Sequence, residues 1–297
     1  MSGAAWAAAS GIGFGLFQTV NRRAVARMDV LVATLLQLVV ALVVLLVALL
    51  ASADRTRLGV VPASAAAWFV LGGLAHFFAG WTLLNASQQR IGAARTSPLI
   101  ATVPLFGALV AAVTLGELPS GLSWVAILLI TGGAYVVAGE RLLHGGRGTP
   151  IRWRDSAYGL GTAAAWGLSP VFIRKGLDVF DSPLLGLTLG LAASLVAYVV
   201  VLGVRGVPGG GRAAVGDAPW LKIAAGVLVA LSTWGRWVAL EGTTVGNVLA
   251  LGLMSVPIVL LISPALMGPE TESVNAVVWL GAALVVAGSL VLVVHGE

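Results

Sequence analysis

The chain has 297 residues, of which 59% are apolar and 10% charged, with 39 glycines and no cysteine. A soluble domain carries about 25% charged and about 45–50% apolar residues, so a disordered chain, a disulfide scaffold and a soluble catalytic domain of any size are excluded. The net charge of +5 and a pI near 10.4 do not signal nucleic acid, because the basic residues fill short gaps between apolar runs and form no continuous face.

A helix crossing about 30 Å of hydrocarbon needs roughly 20 apolar residues, and the sequence offers ten such runs. The first, 1–21, lacks a basic leader and reads as a span, not a cleavable signal peptide. Its Gly11, Gly13 and Gly15 follow no strand, so close helix packing explains them better than a dinucleotide fingerprint. Gln18 and Asn21 share one helical face, and Arg22 and Arg23 close the span. The second run, 30–53, holds Gln37, read as an interhelical hydrogen-bonding group. The third, 58–89, has His76 near its middle and Trp81 after it. His76 reads either as a neutral histidine satisfied by one partner or as a cavity or proton-handling group. Asn85-Ala-Ser87 matches a glycosylation sequon at a span's end and is set aside.

Arg95 enters the fourth run, 96–116, which contains Pro98 and Pro104, and 118–139 is the fifth. The gaps Glu140–Asp155 and Arg205–Pro219 are rich in Gly, Pro and Arg and read as loops. Run six, 156–173, contains Trp166 and Pro170 and ends at Arg174 and Lys175; run seven is 182–204. Run eight, Trp220 to Leu240, is interrupted by Lys222 and Arg236. Arg236 either faces a cavity or snorkels toward Glu241. Run nine, 242–269, holds Asn247, Pro257 and Pro264, and 273–296 is the tenth.

Sliding the chain over itself by 152–155 residues brings the halves into register. Phe14-Gly-Leu-Phe lies over Trp166-Gly-Leu-Ser, Trp81 over Trp234, Val103-Pro104 over Val256-Pro257, Glu117 over Glu270, and Gly133 over Gly288. The Trp81/Trp234 equivalence favours cavity walls over interface anchors for these rings. Equivalent Pro104 and Pro257 favour hinges over tolerated kinks. Five spans per half turn the second half over relative to the first. The expected fold is therefore an all-α integral membrane protein of ten transmembrane helices in two five-helix inverted-topology repeats, 1–139 and 156–297, joined by a loop at 140–155.

These features together resemble the ten-span EamA-type members of the drug/metabolite transporter superfamily. The carrying residues are an aromatic-Gly near the start of each half with basic residues ending that span (Arg22, Arg23; Arg174, Lys175). The run Ala239-Leu-Glu-Gly-Thr-Thr-Val-Gly-Asn before Pro257 and Glu270 is a second feature, and Gly132, Gly133, Gly281 and Gly288 in the final spans are a third. Pro269 before Glu270 and the Gln18/Asn21 face depart from the pattern. The resemblance implies a central cavity walled by spans one, three, four, six, eight and nine, with five and ten outside, and so makes Gln18 and Asn21 cavity-lining. Members carry amino acids, nucleobases, sugars, sugar nucleotides and drugs.

The expected function is a secondary carrier of a small metabolite in the cell membrane, exporting or exchanging by alternating access. Its partners are the lipid bilayer and a small-molecule substrate, with no cofactor, metal or nucleic acid. Arg236, Arg22 or Arg23, Arg174 or Lys175, and Arg95, beside the neutral donors Gln18, Asn21 and Asn247, favour an anionic or zwitterionic substrate such as an amino acid or organic acid. An exporter of uncharged or cationic drug-like compounds is the alternative. A channel would show a filter motif or charged rings, and an intramembrane enzyme would need a constellation at depth that the end-of-span acids do not supply. With no carboxylate inside a span, exchange or facilitated diffusion is expected, His76 being the titrating group at depth. Odd-numbered loops hold twelve basic residues and even-numbered ones four, which puts both termini outside; the family resemblance implies both inside.

Overall fold

The computed structural model describes residues 2–115, 121–144, 153–206, 219–242, 248, 251–268 and 271–295. Among the described residues the regular structure is helical. In chain order the helices are α1 (Gly3–Val25), α2 (Val30–Ala51), α3 (Ala63–Ile91), α4 (Ala93–Ile100), α5 (Val103–Leu115), α6 (Gly121–His144), α7 (Trp153–Val179), α8 (Pro183–Arg205), α9 (Pro219–Gly242), α10 (Ser255–Met267) and α11 (Ala276–His295). A 3-10 turn, Ala53–Val60, joins α2 to α3. Three helices, Val30–Ala51, Ala63–Ile91 and Pro183–Arg205, are long and apolar enough to cross a membrane by length and composition; Trp124–Val137, Ser255–Met267 and Ala276–Val291 are shorter apolar helices.

Helix starts follow from local chemistry. The Asp29 carboxylate accepts from the backbone N–H groups of Leu31 and Val32 at 2.8 and 3.2 Å, satisfying donors that the first turn of α2 leaves free. Ser182 Oγ does the same for Leu185 at the start of α8. The fourth run, expected as one helix, is two. Its backbone tightens at Ala101 and Thr102, where Thr102 N–H bonds the Leu99 carbonyl, and restarts at Val103. Pro104 therefore occupies a first helical turn, where its missing N–H costs nothing. Pro257 stands likewise two residues into α10, after a turn in which Met254 N–H bonds the Leu251 carbonyl.

The helices pack in long pairs that cross between the two halves of the chain. α1 runs along α9 and α10, while α7 runs along α3 and the α4–α5 pair; α2 meets α8, and α6 meets α11. Glycine sets the tightest approach. A Cβ at Gly133 would lie 2.6 Å from the Gly281 carbonyl oxygen, and one at Gly281 would lie 2.9 Å from the Gly133 carbonyl oxygen. Only bare backbone fits there. The apolar core gathers Phe17, Leu38, Phe69, Phe77, Trp81, Tyr198 and Trp237 from α1, α2, α3, α8 and α9. Between α3, α7 and α9 the bundle leaves a space.

Candidate functional site: a central cavity and its closed end

The middle of α3 departs from α-helical winding. Leu74–Gly80 is a π-helical segment, and the indole of Trp166 on α7 explains it. Trp166 Nε1–H donates to the His76 carbonyl at 3.0 Å, a bond from outside the helix that competes with its own ladder. Gly80 gives the ring room, since a Cβ there would lie 2.7 Å from the indole Cδ1. The His76 ring stacks on Trp166 with centroids 5.2 Å apart and planes 17° from parallel, and its Nδ1 lies 3.0 Å from Ser169 Oγ. Phe14 of α1 meets the other side of Trp166 edge-on at 5.4 Å.

The His76 and Trp166 rings form part of the wall of a cavity of about 490 Å³. Ser169, Pro170, Ile173 and Leu177 of α7 continue it, and Arg236 and Trp237 of α9 face them. A narrow extension runs between α1 and α9 past Ser10, Phe14, Ser232 and Thr233. The mouth is polar. Arg174, Asp178 and Asp181 line it where α7 ends, and Arg174 Nε pairs with Asp178 at 3.4 Å with both side chains largely exposed. This is the end at which α1 begins. The half-buried Arg236 makes no hydrogen bond or ion pair among the described residues, and it borders both the main cavity and its narrow extension.

At the opposite end the bundle is shut by two polar clusters, each joining the halves. Lys222 of α9 is fully buried, and its Nζ donates to Asn21 Oδ1, to Gln37 Oε1 at 2.7 Å and to Asn85 Oδ1 at 3.2 Å. Asn21 Nδ2 donates to Asn85 Oδ1 and Gln88 Oε1, both at 2.7 Å, and Asn85 Nδ2 donates to Thr34 Oγ1 at 2.7 Å. Beside this cage the buried Glu272 accepts from Arg22 Nε at 2.7 Å, from Ala93 N–H at 3.0 Å and from Ala94 N–H at 3.2 Å. Gly92, at φ 84°, turns the chain so that these two amides point at the carboxylate. Arg90 closes the rim, 3.7 Å from Asp155 and over the Tyr158 ring at 4.1 Å.

The residues singled out from the sequence thus divide. His76, Trp166, Arg174 and Arg236 line the cavity. Asn21 and Arg22 belong to the closed end, as do Gln18, whose Nε2 donates to Ser97 Oγ at 3.4 Å, and the buried Arg95, whose Nη2 donates to Ser273 Oγ at 3.4 Å. Lys175 lies over the Trp68 ring at 4.7 Å and lines no part of the cavity. Trp81 is 1% exposed in the apolar core and Trp234 packs against that core, so neither ring lines the cavity. Asn247 and the Glu241 side chain lie outside the described residues. Lys222, Asn85 and Glu272 were missed as site residues. The one signal for Lys222 was a charge inside an apolar run, read there as a loop residue.

The fold and cavity define a multi-pass helical membrane protein. Residues 1–139 match the model of the EamA-like transporter family, a family of the drug/metabolite transporter superfamily, whose members are membrane transporters of small molecules. No curated protein matches the chain. Among solved structures, one titled "Crystal structure of protein" is similar at a TM-score of 0.59 and 19% identity, covering 95% of this chain and 95% of that one. At that identity the likeness establishes the fold.

Proposed function

We propose that the protein is a secondary carrier that moves a small metabolite by alternating access, built from two inverted five-span repeats, 1–139 and 156–297, with a loop at 140–155 between them. The carrying observation is a cavity at mid-bundle with one end open and the other shut by bonds between the halves. A channel needs both ends open at once, whereas a carrier needs one shut at a time. Packing that maps α1–α9 onto α7–α3, and pairs α2 with α8 and α6 with α11, supports the two-fold relation of the repeats.

The substrate is an anion or zwitterion with an apolar body. Arg236 offers charge with no hydrogen-bond or ion-pair partner among the described residues, in a cavity whose wall includes Trp166, Pro170, Ile173, Leu177 and Trp237. A desolvated guanidinium is stabilised by a bound carboxylate or phosphate and by little else in such surroundings. Basic loop residues favour the closed end facing the cytoplasm: with the buried Arg22, Arg95 and Lys222 set aside, the odd-numbered loops of the sequence still hold nine basic residues against four in the even-numbered ones. A carboxy-terminal reporter that works only in the cytoplasm should accordingly be inactive.

Counterflow in proteoliposomes tests the reading. Vesicles loaded with one compound from a panel of amino acids, organic acids, nucleosides and sugars should take up the labelled compound faster than empty ones. Arg236→Gln should lower that uptake at least about tenfold for an anionic substrate, the loss of one charged hydrogen bond, while the protein stays monodisperse. Equal uptake into loaded and empty vesicles would sink the carrier; a best substrate that is cationic would sink the anion reading alone.

A further inference from the structure

One buried group has no task in that account. Lys222 stands in the first turn of α9, is 0% exposed, and reaches three carbonyl oxygens, one from each of α1, α2 and α3. An ammonium carries three N–H donors and no acceptor, so this arrangement satisfies the protonated form completely. A neutral amine has two donors and a lone pair, and the lone pair would face an oxygen. The cage is therefore selective for the proton by geometry.

Among the described residues no carboxylate enters the cage to fix that charge permanently. On α1, Arg22 is paired with Glu272. Asp29 caps α2, and on α3 Arg90 faces Asp155. Tyr198 on α8 bonds Thr82, while His76 of α3 and Arg236 of α9 face the cavity. Amide dipoles alone hold the charge, and only while all three oxygens converge. All three come from the first half of the chain and the lysine from the second, so opening this end must pull Lys222 out of the cage.

We propose that Lys222 is a proton-binding site that operates the closed end: protonated, it bolts α9 to α1, α2 and α3, and on losing the proton to entering water it lets this end open. The inference rests on the carrier reading and moves pH sensitivity from His76 to Lys222.

The absence of cysteine allows a clean test. Ser97→Cys places a single thiol on α4 behind the cage, at a position 2% exposed. Its labelling by a membrane-impermeant maleimide is followed in open membranes at about pH 6 and about pH 9, bracketing the range in which a perturbed amine titrates. Rates are compared between variants at the same pH, which cancels the thiol's own ionisation. With Lys222 present, labelling should match that of Lys222→Arg at the lower pH and exceed it about tenfold at the higher, the equilibrium effect of one charge-assisted bond. Lys222→Met should label fast at both. If Lys222→Met fails to fold, Gln37→Leu, which removes one acceptor oxygen, should raise labelling at the lower pH.

Protection unchanged by Lys222→Met or Gln37→Leu, or an identical response to pH in the lysine and arginine proteins, overturns the proposal. Leu177→Cys, on the open cavity wall, serves as the separate control. It should label in every background, and its failure would count against the open cavity while leaving the comparison at Ser97 to stand or fall by itself.

Discussion

Inside the cavity, polar groups stand apart: Arg236 has no hydrogen-bond partner among the described residues, and His76 spends one nitrogen on Ser169. At the closed end they crowd together, so that Lys222, Asn21, Gln37, Asn85 and Gln88 share one network and Glu272 takes three donors. The same residue types are used oppositely. A cavity that receives a charged ligand must keep donors unspent, whereas a seal must spend them on the other half of the protein. The seal is not perfect: Gln37 Nε2 and Gln88 Nε2 are buried without a hydrogen-bond partner among the described residues, and each such donor costs about 1–3 kcal/mol.

This contrast can be broken at three places, in decreasing order of effect. Trp166→Ala removes the indole that holds the π-helical segment and two ring contacts, and should destabilise the protein by about 4 kcal/mol, the usual cost of truncating a buried aromatic. Thermal melting in detergent measures it, and a loss under about 1 kcal/mol would mean that α3 holds the π-helical segment unaided. Glu272→Gln leaves Arg22 buried without a counter-charge and should cost about 3 kcal/mol. Proteolysis at the loop before α11 should accelerate with it. Asp178→Asn breaks the exposed pair with Arg174 at the mouth and should leave the melting temperature unchanged within error, because solvent already screens both groups. A marked drop there would show that the mouth, too, is a seal.

Much of the architecture was legible because apolar runs and charge spacing are local signals. α2 and α8 could hardly be anything but long apolar helices, and Trp166, His76 and Arg236 stood out as polar or aromatic groups at mid-run. The cage was not legible, since Lys222 lies 201, 185 and 137 residues from its three acceptors. A single lysine three residues into a run looks like a loop residue until the neighbouring helices are placed. Trp81 and Trp234 show the reverse problem. Their equivalence in the repeat is a fact of sequence, but which way each ring turns depends on helix rotation, which sequence alignment does not carry. The break at Ala101 and Thr102 had only Pro104 to announce it, and a proline in an apolar run reads equally well as a kink.

The π-helical segment of α3 sets the phase of the whole helix. One residue of an α-helix is a rotation of about 100°, so a wide turn that takes up an extra residue offsets everything after it by that angle. Residues before Leu74 and residues after Gly80 are thus read in two different rotational frames along a single rod. Trp166 holds that offset from outside. Across it, His76 looks toward the cavity while Asn85, nine positions on, looks toward the lysine. Deleting Ala79 would erase the offset, and the two ends of α3 would then fall out of step like mistimed gears on one shaft.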